Sequence, residues 1–195
     1  MGITNVLQNT YYRIVGFQDK PLQVTKLLAG KDSVMIDVGA NVGEHAFAAL
    51  GYVYAIEPCR ETFEKLTARK QEPHSRRRFF NIAFSDAKGE KTLYINPRNP
   101  GNNSVVPHSG KIAGETVQCV TLDDFVKEHG IRPTYIKIDT EGHEMEVLAG
   151  GMMTIETYKP ALLIEGNAQT LDSILVSLGY MRQGVDRINH FYFAN

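Results

Sequence analysis

The stretch VMIDVGANVG at residues 34–43 constrains the fold of this 195-residue chain more than any other feature. An apolar run ends on an acid, Asp37, and passes into a turn that has glycine at both ends, Gly39 and Gly43. Such a run is typical of a strand that is covered on both faces, and glycine lets the backbone bend and approach a ligand closely. The stretch therefore predicts a strand, a tight turn and a helix beside a ligand site.

Short apolar segments alternate with amphipathic segments along the rest of the chain, and this alternation predicts βαβ units. The implied fold is α/β, a mostly parallel central sheet with helices on both faces. An apolar content of 43% is enough for residues 1–195 to form a single domain. The predicted strands span residues 34–37, 53–57, 78–83, 91–95, 117–120, 135–139, 161–165 and 190–193. The predicted helices span residues 44–50, 60–71, 123–128, 143–149 and 170–178.

The composition argues against several classes of partner. A formal charge of −1 at pH 7 provides no field that recruits nucleic acid or an anionic membrane. No apolar run approaches the ~20 residues that cross a bilayer, and the chain does not open with a charged and then apolar leader. Cys59 and Cys119 are too far apart in sequence to indicate a thiolate metal cluster. We therefore expect a cytoplasmic protein whose partners are small molecules.

Acids mark most of the predicted strand ends. Of the five ends at the ligand-binding edge, four carry Asp37, Glu57, Asp139 or Glu165. Ligands of open α/β sheets bind outside the carboxyl ends of the strands, beside the point where the strand order reverses. A single acid there is explained equally well as a helix cap. Four acids together predict a ligand site with negative charge.

The glycine turn and the acid after the second strand indicate a nucleoside without phosphate. The turn has the spacing G-x-x-x-G with Asn41 at its centre, whereas a dinucleotide fingerprint requires G-x-G-x-x-G. Glu57 follows the second strand, where an acid accepts hydrogen bonds from both hydroxyls of a ribose. Asp37 repels a pyrophosphate and attracts an ammonium or sulfonium centre. S-adenosylmethionine combines these features and is the predicted cofactor.

Three alternatives stay open on the same residues. A nicotinamide-dependent dehydrogenase shares the ribose contact of Glu57 but requires a pyrophosphate-binding glycine that the turn lacks. A non-catalytic binding or regulatory module keeps the nucleoside site without the chemistry. A tight strand-to-helix turn with no ligand accounts for the glycines alone.

Six segments resemble the FkbM-type methyltransferases, which use S-adenosylmethionine to methylate hydroxyl groups. In chain order they are VMIDVGANVG, VYAIEP, NIAFSD, TLDDF, YIKIDTEGHEMEVLAGG and KPALLIEG, and they span residues 34–166. The most specific is KIDTEGHE, an acid-rich string directly after a strand. The resemblance implies a Rossmann-like class I methyltransferase fold and O-methylation of a sugar, a glycan or another small natural product.

The resemblance also implies roles for individual residues. The residues expected along the methionine part of the cofactor are Asp37, Gly39, Asn41 and Gly43. Glu57 is expected on the ribose. The residues expected near the adenine are Ala83, Phe84 and Ser85. The acidic signature at the edge of the active site includes Asp139, which is expected to touch the cofactor as well, and Glu141.

Methyl transfer to a hydroxyl requires an aligned acceptor and a base that removes its proton. His143 is the first candidate for the base because the ordinary histidine pKa lies near neutrality, and Asp139 and Glu141 are the next candidates. Asp139 and Glu141 leave the same face if the strand conformation continues through the turn. In a further hypothesis, Asp139, Glu141 and His143 are ligands of a Mg²⁺-like ion. We rank this metal hypothesis below the hypothesis of a histidine base. The favoured reading uses no metal.

Two segments are candidates for covers over the crevice. Residues 96–116 are long and rich in glycine, proline and asparagine for a connection inside a compact domain, which predicts a lid loop. Similar family members carry an Asn-Ser pair that matches Asn103 and Ser104, and His108 is a second candidate on the acceptor side. Residues 1–33 form a predicted N-terminal arm, in which 11–13 are candidates for a contact with the cofactor.

Overall fold

The computed structural model describes residues 20–69, 76–107 and 109–194. Residues 11–13 of the predicted arm and His108 of the predicted lid lie outside these ranges. Within the described ranges, every helix falls short of the length and apolar character that a membrane crossing requires.

The structure alternates strands and helices along most of the chain. In chain order the strands are β1 (Val34–Val38), β2 (Tyr52–Ile56), β3 (Arg77–Phe80), β4 (Ala83–Phe84), β5 (Gly89–Ile95), β6 (Ile112–Val120), β7 (Tyr135–Ile138), β8 (Ala161–Glu165), β9 (Tyr180–Gly184) and β10 (Asn189–Ala194). The α-helices are α1 (Lys20–Leu28), α2 (Glu44–Ala48), α3 (Arg60–Ala68), α4 (Leu122–His129), α5 (Glu144–Ala149), α6 (Met152–Tyr158) and α7 (Ala168–Leu175). A short 3₁₀ helix spans Pro100–Asn102.

Seven strands form the central sheet in the order β3-β2-β1-β7-β8-β10-β9. The first five are parallel, and β10 runs antiparallel between β8 and β9. Because β1 pairs with β2 on one side and with β7 on the other, the strand order reverses at β1. The carboxyl ends of these strands therefore border a crevice at the switch point. The predicted mostly parallel sheet is confirmed.

Helices cover both faces of the central sheet because neighbouring side chains of each strand point to opposite faces. On one face, Ile36 and Ile136 join an apolar cluster with helices α4 to α7. On the other face, Met35 and Tyr135 join a second cluster with helices α1 to α3. The two-sided packing explains why the central strands read as nearly continuous apolar runs.

Two of the predicted strands, 91–95 and 117–120, and the end of a third belong to a separate small sheet with the order β4-β6-β5, which corrects the expectation of one sheet. The predicted strand 78–83 divides into β3 and β4, and these lie in different sheets. In β6, Val117 and Cys119 are buried whereas the residues between and before them are more exposed. This alternation is typical of an antiparallel pair that is covered on one face. Cys59 packs into the same apolar cluster, and both cysteines are free thiols.

Several element bounds differ from the predictions. Helices α1 and α6 and the outer strand β9 were not predicted, and α1 lies inside the segment that was assigned to an arm. Val24 lies in α1 and Ala29 directly follows it, and both pack into the apolar cluster on one face of the sheet. A local sequence pattern does not reveal this long-range contact. The predicted helices 60–71 and 170–178 end earlier, at Ala68 and Leu175.

Candidate active site

A crevice with about 610 Å³ of empty volume, part of it open to solvent, lies at the carboxyl ends of β1, β2 and β7. Most of the residues that the sequence singled out line it. The lining residues among them are Gly39, Asn41, Glu57, Ala83, Phe84, Asp139, Glu141 and His143. Those that lie outside the lining are Asp37, Gly43 and Ser85. Asp37 and Ser85 are fully buried.

The turn after β1 is shaped by left-handed backbone. Gly39, Asn41 and Gly43 have φ angles of 76°, 49° and 89°, which glycine adopts freely and asparagine adopts more readily than most residues. A Cβ atom at Gly39 would lie 1.7 Å from the backbone oxygen of Asp139. The Gly39 N–H donates to Ile56 O at 3.0 Å, so the turn is held by β2 as well. The G-x-x-x-G spacing therefore fits a turn that is wedged between two strand ends.

Glu57 connects this turn to the segment after β2. Its Oε2 accepts the backbone N–H of Asn41 at 2.9 Å, and its Oε1 accepts the backbone N–H of Cys59 at 2.9 Å. Burial raises the pKa of Glu57 to about 7, although these two hydrogen bonds favour the ionised form. Each carboxylate oxygen retains a second lone pair. Glu57 is thus fixed by the backbone and still able to accept two hydrogen bonds from a ligand.

An apolar wall stands beside Glu57 in the same crevice. It consists of Ile56, Pro58, Ala83, Phe84 and Val105. This combination of an apolar wall with a neighbouring carboxylate suits a flat, uncharged ring that is joined to a diol.

A buried ion pair lies under the glycine turn. Asp37 is fully buried, and among the described residues its oxygens accept no hydrogen bond of ordinary geometry. Burial raises the pKa of Asp37, whereas the Lys137 ammonium and the backbone N–H of Ala46 act in the opposite direction. Lys137 Nζ lies 3.7 Å from Asp37 Oδ1 and donates to Asp139 Oδ2 at 3.0 Å.

Three carboxylates meet where β7 and β8 end. Oxygen atoms of Asp139, Glu141 and Glu165 lie within 4.8 Å of one another, a separation at which they could hold a divalent metal ion. Burial and the nearby charges of Asp139 and Glu141 raise the pKa of Glu165 to about 7. Burial and Asp139 also raise the pKa of Glu141. The site therefore contains a carboxylate that gains a proton near neutral pH.

The convergence of Asp139 and Glu141 arises in a different way from the one predicted. The strand ends at Ile138, and Glu141 has a left-handed φ of 57°, so the strand conformation does not continue through the turn. Glu144 holds this turn instead. Its Oε1 accepts the Thr140 N–H at 2.9 Å, the Thr140 hydroxyl at 3.0 Å and the Gly142 N–H at 3.1 Å.

Both ring nitrogens of His143 face protein groups. Nε2 lies 3.0 Å from Ser85 Oγ, and that hydroxyl donates to Asp86 Oδ1 at 2.8 Å. Because a serine hydroxyl has one hydrogen, Ser85 accepts the hydrogen of Nε2. Nδ1 is buried and lies 3.3 Å from Glu146 Oε2 without hydrogen-bond geometry. Burial lowers the pKa of His143, so the ring is held neutral between α5 and the segment after β4.

Part of the predicted lid forms one wall of the crevice. Gly101 and the residues from Asn103 to Val105 line it, and β6 begins at Ile112, so the loop is shorter than the predicted span of 96–116. Ser104 pairs with Tyr94 of β5 through two backbone hydrogen bonds of 2.7 and 3.1 Å, and its hydroxyl donates to Thr140 O at 3.2 Å. Movement of this segment as a lid stays a prediction.

Three residues near the crevice were given no individual role from the sequence. Lys137 had a signal, since it is the one charged residue within the apolar strand YIKI. Glu165 had a signal as a strand-end acid, but its contact with Asp139 depends on the pairing of β7 with β8. Asn81 opens the segment NIAFSD, but its contacts depend on the fold: its side-chain amide donates to Glu57 O at 2.9 Å and Pro58 O at 2.8 Å.

Comparison with known proteins identifies related chains. The sequence profile of the methyltransferase FkbM domain matches residues 37–185. Hexuronic acid methyltransferase AglP of Haloferax volcanii is 30% identical over 125 residues, which are 63% of this chain and 51% of the relative. The 2-O-methyltransferase NoeI of Sinorhizobium fredii is 31% identical over 160 residues, with 68% of this chain and 63% of the relative covered. The chain thus spans about half to two thirds of the length of these curated relatives.

The crystal structure of methyltransferase FkbM from Methylobacillus flagellatus KT has a similar fold. It superposes with a TM-score of 0.63 at 18% sequence identity, over 97% of this chain and 58% of that chain. The Rossmann-like methyltransferase fold is therefore confirmed.

We expect Gly39→Ala to destabilise the protein far more than the same substitution at a left-handed glycine elsewhere in the chain. The matched control is Gly130→Ala, because Gly130 has a φ of 61° but open space around its Cβ position. Gly130→Ala should lower the free energy of unfolding by about 1 kcal/mol. Gly39→Ala should lower it by about 2 kcal/mol more, because the Asp139 backbone must shift. Urea unfolding of both variants measures the difference, and equal losses would contradict the wedged turn.

We expect Glu144→Ala to loosen the turn that carries Glu141. The variant leaves the N–H groups of Thr140 and Gly142 without their acceptor, which lowers the free energy of unfolding by about 1–3 kcal/mol. Glu144→Gln keeps an oxygen acceptor and should retain most of the stability. Urea unfolding at pH 7 compares the two variants, and similar losses in both would show that the carboxylate charge matters more than the hydrogen bonds.

Proposed function

The chain belongs to the FkbM methyltransferase family, and from this premise we propose that it transfers the methyl group of S-adenosylmethionine to a hydroxyl group of a saccharide. The names of two relatives support the acceptor class, since one is a hexuronic acid methyltransferase and the other a 2-O-methyltransferase. One observation carries the proposal: the crevice joins a glycine turn, an apolar wall and Glu57. Its described lining contains no lysine or arginine, as expected for a phosphate-free nucleoside.

We propose that the cofactor follows the crevice from β1 to β4. Gly39, Asn41 and Gly43 shape the turn along its methionine part, and buried Asp37 acts on that part through its charge. Glu57 accepts hydrogen bonds from both ribose hydroxyls through its second lone pairs. When bound, S-adenosylmethionine supplies a methyl group on a sulfonium sulfur. The acceptor oxygen attacks the methyl carbon in line with the carbon–sulfur bond, and the sulfur leaves as a neutral thioether.

The adenine would lie against the apolar wall. Ala83 and Phe84 are buried members of that wall. Ser85 is fully buried behind it, so we propose that it contributes by holding His143 and not by direct contact. A wall of this kind excludes water from the ring faces and needs no charged partner.

For the acceptor hydroxyl, the geometry supports a carboxylate base more strongly than a histidine base. Asp139 and Glu141 line the crevice, and Glu165 lies just behind its lining, with an oxygen within 4.8 Å of oxygens of both. Burial first, then the two neighbouring acids, raises the pKa of Glu165 to about 7. A base is most effective when its pKa lies near the working pH. We propose Glu165 as this base, with Asp139 and Glu141 orienting the acceptor through hydrogen bonds. We rank His143 below Glu165 as the base because both ring nitrogens of His143 face protein groups. Its base role stays a prediction.

A metal-assisted variant of the same reaction rests on the same three carboxylates. A divalent ion held by Asp139, Glu141 and Glu165 would lower the pKa of the acceptor hydroxyl directly. His143, which the sequence suggested as a ligand, is held by Ser85 instead and is not part of this group.

Calorimetry with S-adenosylmethionine, S-adenosylhomocysteine and NAD tests the cofactor. We expect both adenosyl ligands to bind and Glu57→Ala to weaken their binding by about tenfold or more, because two hydrogen bonds to a charged acceptor are lost. Glu61→Ala, a surface change on α3, should have no effect, since within the described ranges Glu61 pairs with exposed Lys65 and lies outside the crevice lining. Preferential binding of NAD would favour a dehydrogenase. Binding without transfer to any of a panel of hydroxylated acceptors would favour a nucleoside-binding module.

Glu165→Gln tests the base. We expect turnover at saturating cofactor and acceptor to fall by about 10²–10⁴-fold while cofactor affinity is kept. The wild-type turnover should rise with pH through the region near 7, because a base acts only after its proton is lost. His143→Ala should change turnover less than Glu165→Gln, and the reverse order would restore the histidine base. Loss of activity in EDTA that Mg²⁺ restores would establish the metal-assisted variant.

A further inference from the structure

Lys137 is a buried cation in the middle of the sheet that the proposed cofactor and base assignments do not use. It lies in β7 opposite Asp37 of β1 and next to Leu163 of β8. Only 6% of the residue is exposed. A buried lysine is unfavourable unless its charge is paired, so its position calls for a functional or structural reason.

The ammonium group of Lys137 contacts both turns that border the crevice. It donates to Asp139 Oδ2 at 3.0 Å, after β7, and to Gly39 O at 3.3 Å, after β1. Its third neighbour is Asp37 Oδ1 at 3.7 Å. Two of the three ammonium hydrogens are therefore used in hydrogen bonds, and the contact with Asp37 is an ion pair without hydrogen-bond geometry. The side chain therefore connects the glycine turn with the acidic turn.

Lys137 carries its charge at neutral pH. Burial lowers the pKa of Lys137, but the charges of Asp139 and Asp37 outweigh burial and raise it. In turn the ammonium lowers the pKa of acids on four elements around it. These acids are Asp37, Glu57, Glu141 and Glu165. From helix α2, His45 faces the same region, and its pKa is lowered to about 3 by burial first and by Lys137 second.

We infer that Lys137 is a positioning residue for the proposed methyl transfer, because it fixes the Asp139 carboxylate and the Gly39 carbonyl relative to each other across the crevice. This inference rests on the proposed function. Asp139 borders the acceptor side and Gly39 borders the cofactor side, so the ammonium sets the distance between the two reacting molecules. Small errors in that distance reduce turnover strongly.

A double-mutant cycle with Lys137→Met and Asp139→Asn tests the inference. We expect Lys137→Met alone to lower turnover by about tenfold to hundredfold, with a smaller change in the Michaelis constant for the cofactor. In the Asp139→Asn background, the same change should have a much smaller effect, because the carboxylate that it positions is gone. Independent, multiplicative losses would overturn the inference, as would unchanged turnover in a folded Lys137→Met protein.

The pH profile separates positioning from a general loss of structure. In Lys137→Met, the acids of the crevice lose their cation, so the rise of turnover with pH should move to higher pH, by up to about one unit. Lys137→Arg keeps the charge and should leave the rise near its wild-type position even if turnover falls. Lys65→Met, which removes an exposed lysine of α3, is the matched control and should leave both unchanged. An unshifted profile in Lys137→Met would count against the inference.

Unfolding measurements give a readout that needs no turnover. Burial raises the folded-state pKa of Asp37, and loss of Lys137 raises it further. A carboxyl group with a raised folded-state pKa stabilises the protein when protonated, and this stabilisation is lost as pH rises through the folded-state value. Relative to wild type, Lys137→Met should therefore lose free energy of unfolding as pH rises, and adding Asp37→Asn should reduce this trend, leaving the part that comes from the other three acids. Parallel pH curves for wild type and Lys137→Met would refute the ion pair on which the inference depends.

These experiments also distinguish failure of the inference from failure of the proposed function. If the wild-type protein neither binds S-adenosylhomocysteine nor releases it from S-adenosylmethionine, the proposed function is wrong. If the wild-type protein is active and Lys137→Met folds and matches it in turnover and pH profile, only the role of Lys137 is wrong.

Discussion

The pairing of β1 with β7 is the constraint on which the rest of the site depends. Its register sets Asp37 directly opposite Lys137 inside the sheet, where an isolated charge would be very unfavourable. Removing one partner of a buried pair leaves the other uncompensated, typically at a loss of about 3–5 kcal/mol. The pair explains why a lysine is tolerated in a strand whose other residues are apolar or aromatic. The Lys137 ammonium has a second carboxylate partner, Asp139, at the edge of the sheet.

The same strand pairing brings two backbone turns into contact. The carbonyl of Asp139 occupies the space that any side chain at position 39 would need, so Gly39 is required by its neighbour and not only by its own φ angle. The proposed cofactor side and acceptor side are therefore one packed unit. Glu144 and Ser104 add hydrogen bonds to Thr140 from two other elements, and these bonds hold the acidic turn where β7 leaves it.

Features that depend on neighbours in sequence were predictable, and features that depend on strand pairing were not. The apolar runs and their terminal acids located Glu57 and Asp139 at the correct edge of the sheet. The cap of α4 is likewise a contact between sequence neighbours, since Thr121 Oγ1 accepts the Asp124 N–H at 3.0 Å. The contact of Glu165 with Asp139 follows from the pairing of β7 with β8, which no local pattern encodes. The same holds for the separate small sheet, because the pairing of β6 with β4 and β5 joins segments that are distant in sequence.

The charge balance at the crevice edge favours a cationic ligand. Lys137 offsets part of the charge of Asp37 and Asp139, while Glu141, and Glu165 once it has lost its proton, add negative charge within 4.8 Å of Asp139. This negative edge attracts the sulfonium of the proposed cofactor through its overall charge. A sulfonium does not need to be directly coordinated by oxygen ligands, as a metal ion does. Methyl transfer converts the sulfonium into a neutral thioether, so the attraction weakens once the reaction has occurred. The same carboxylates that would favour binding of the charged cofactor would therefore also favour release of its product.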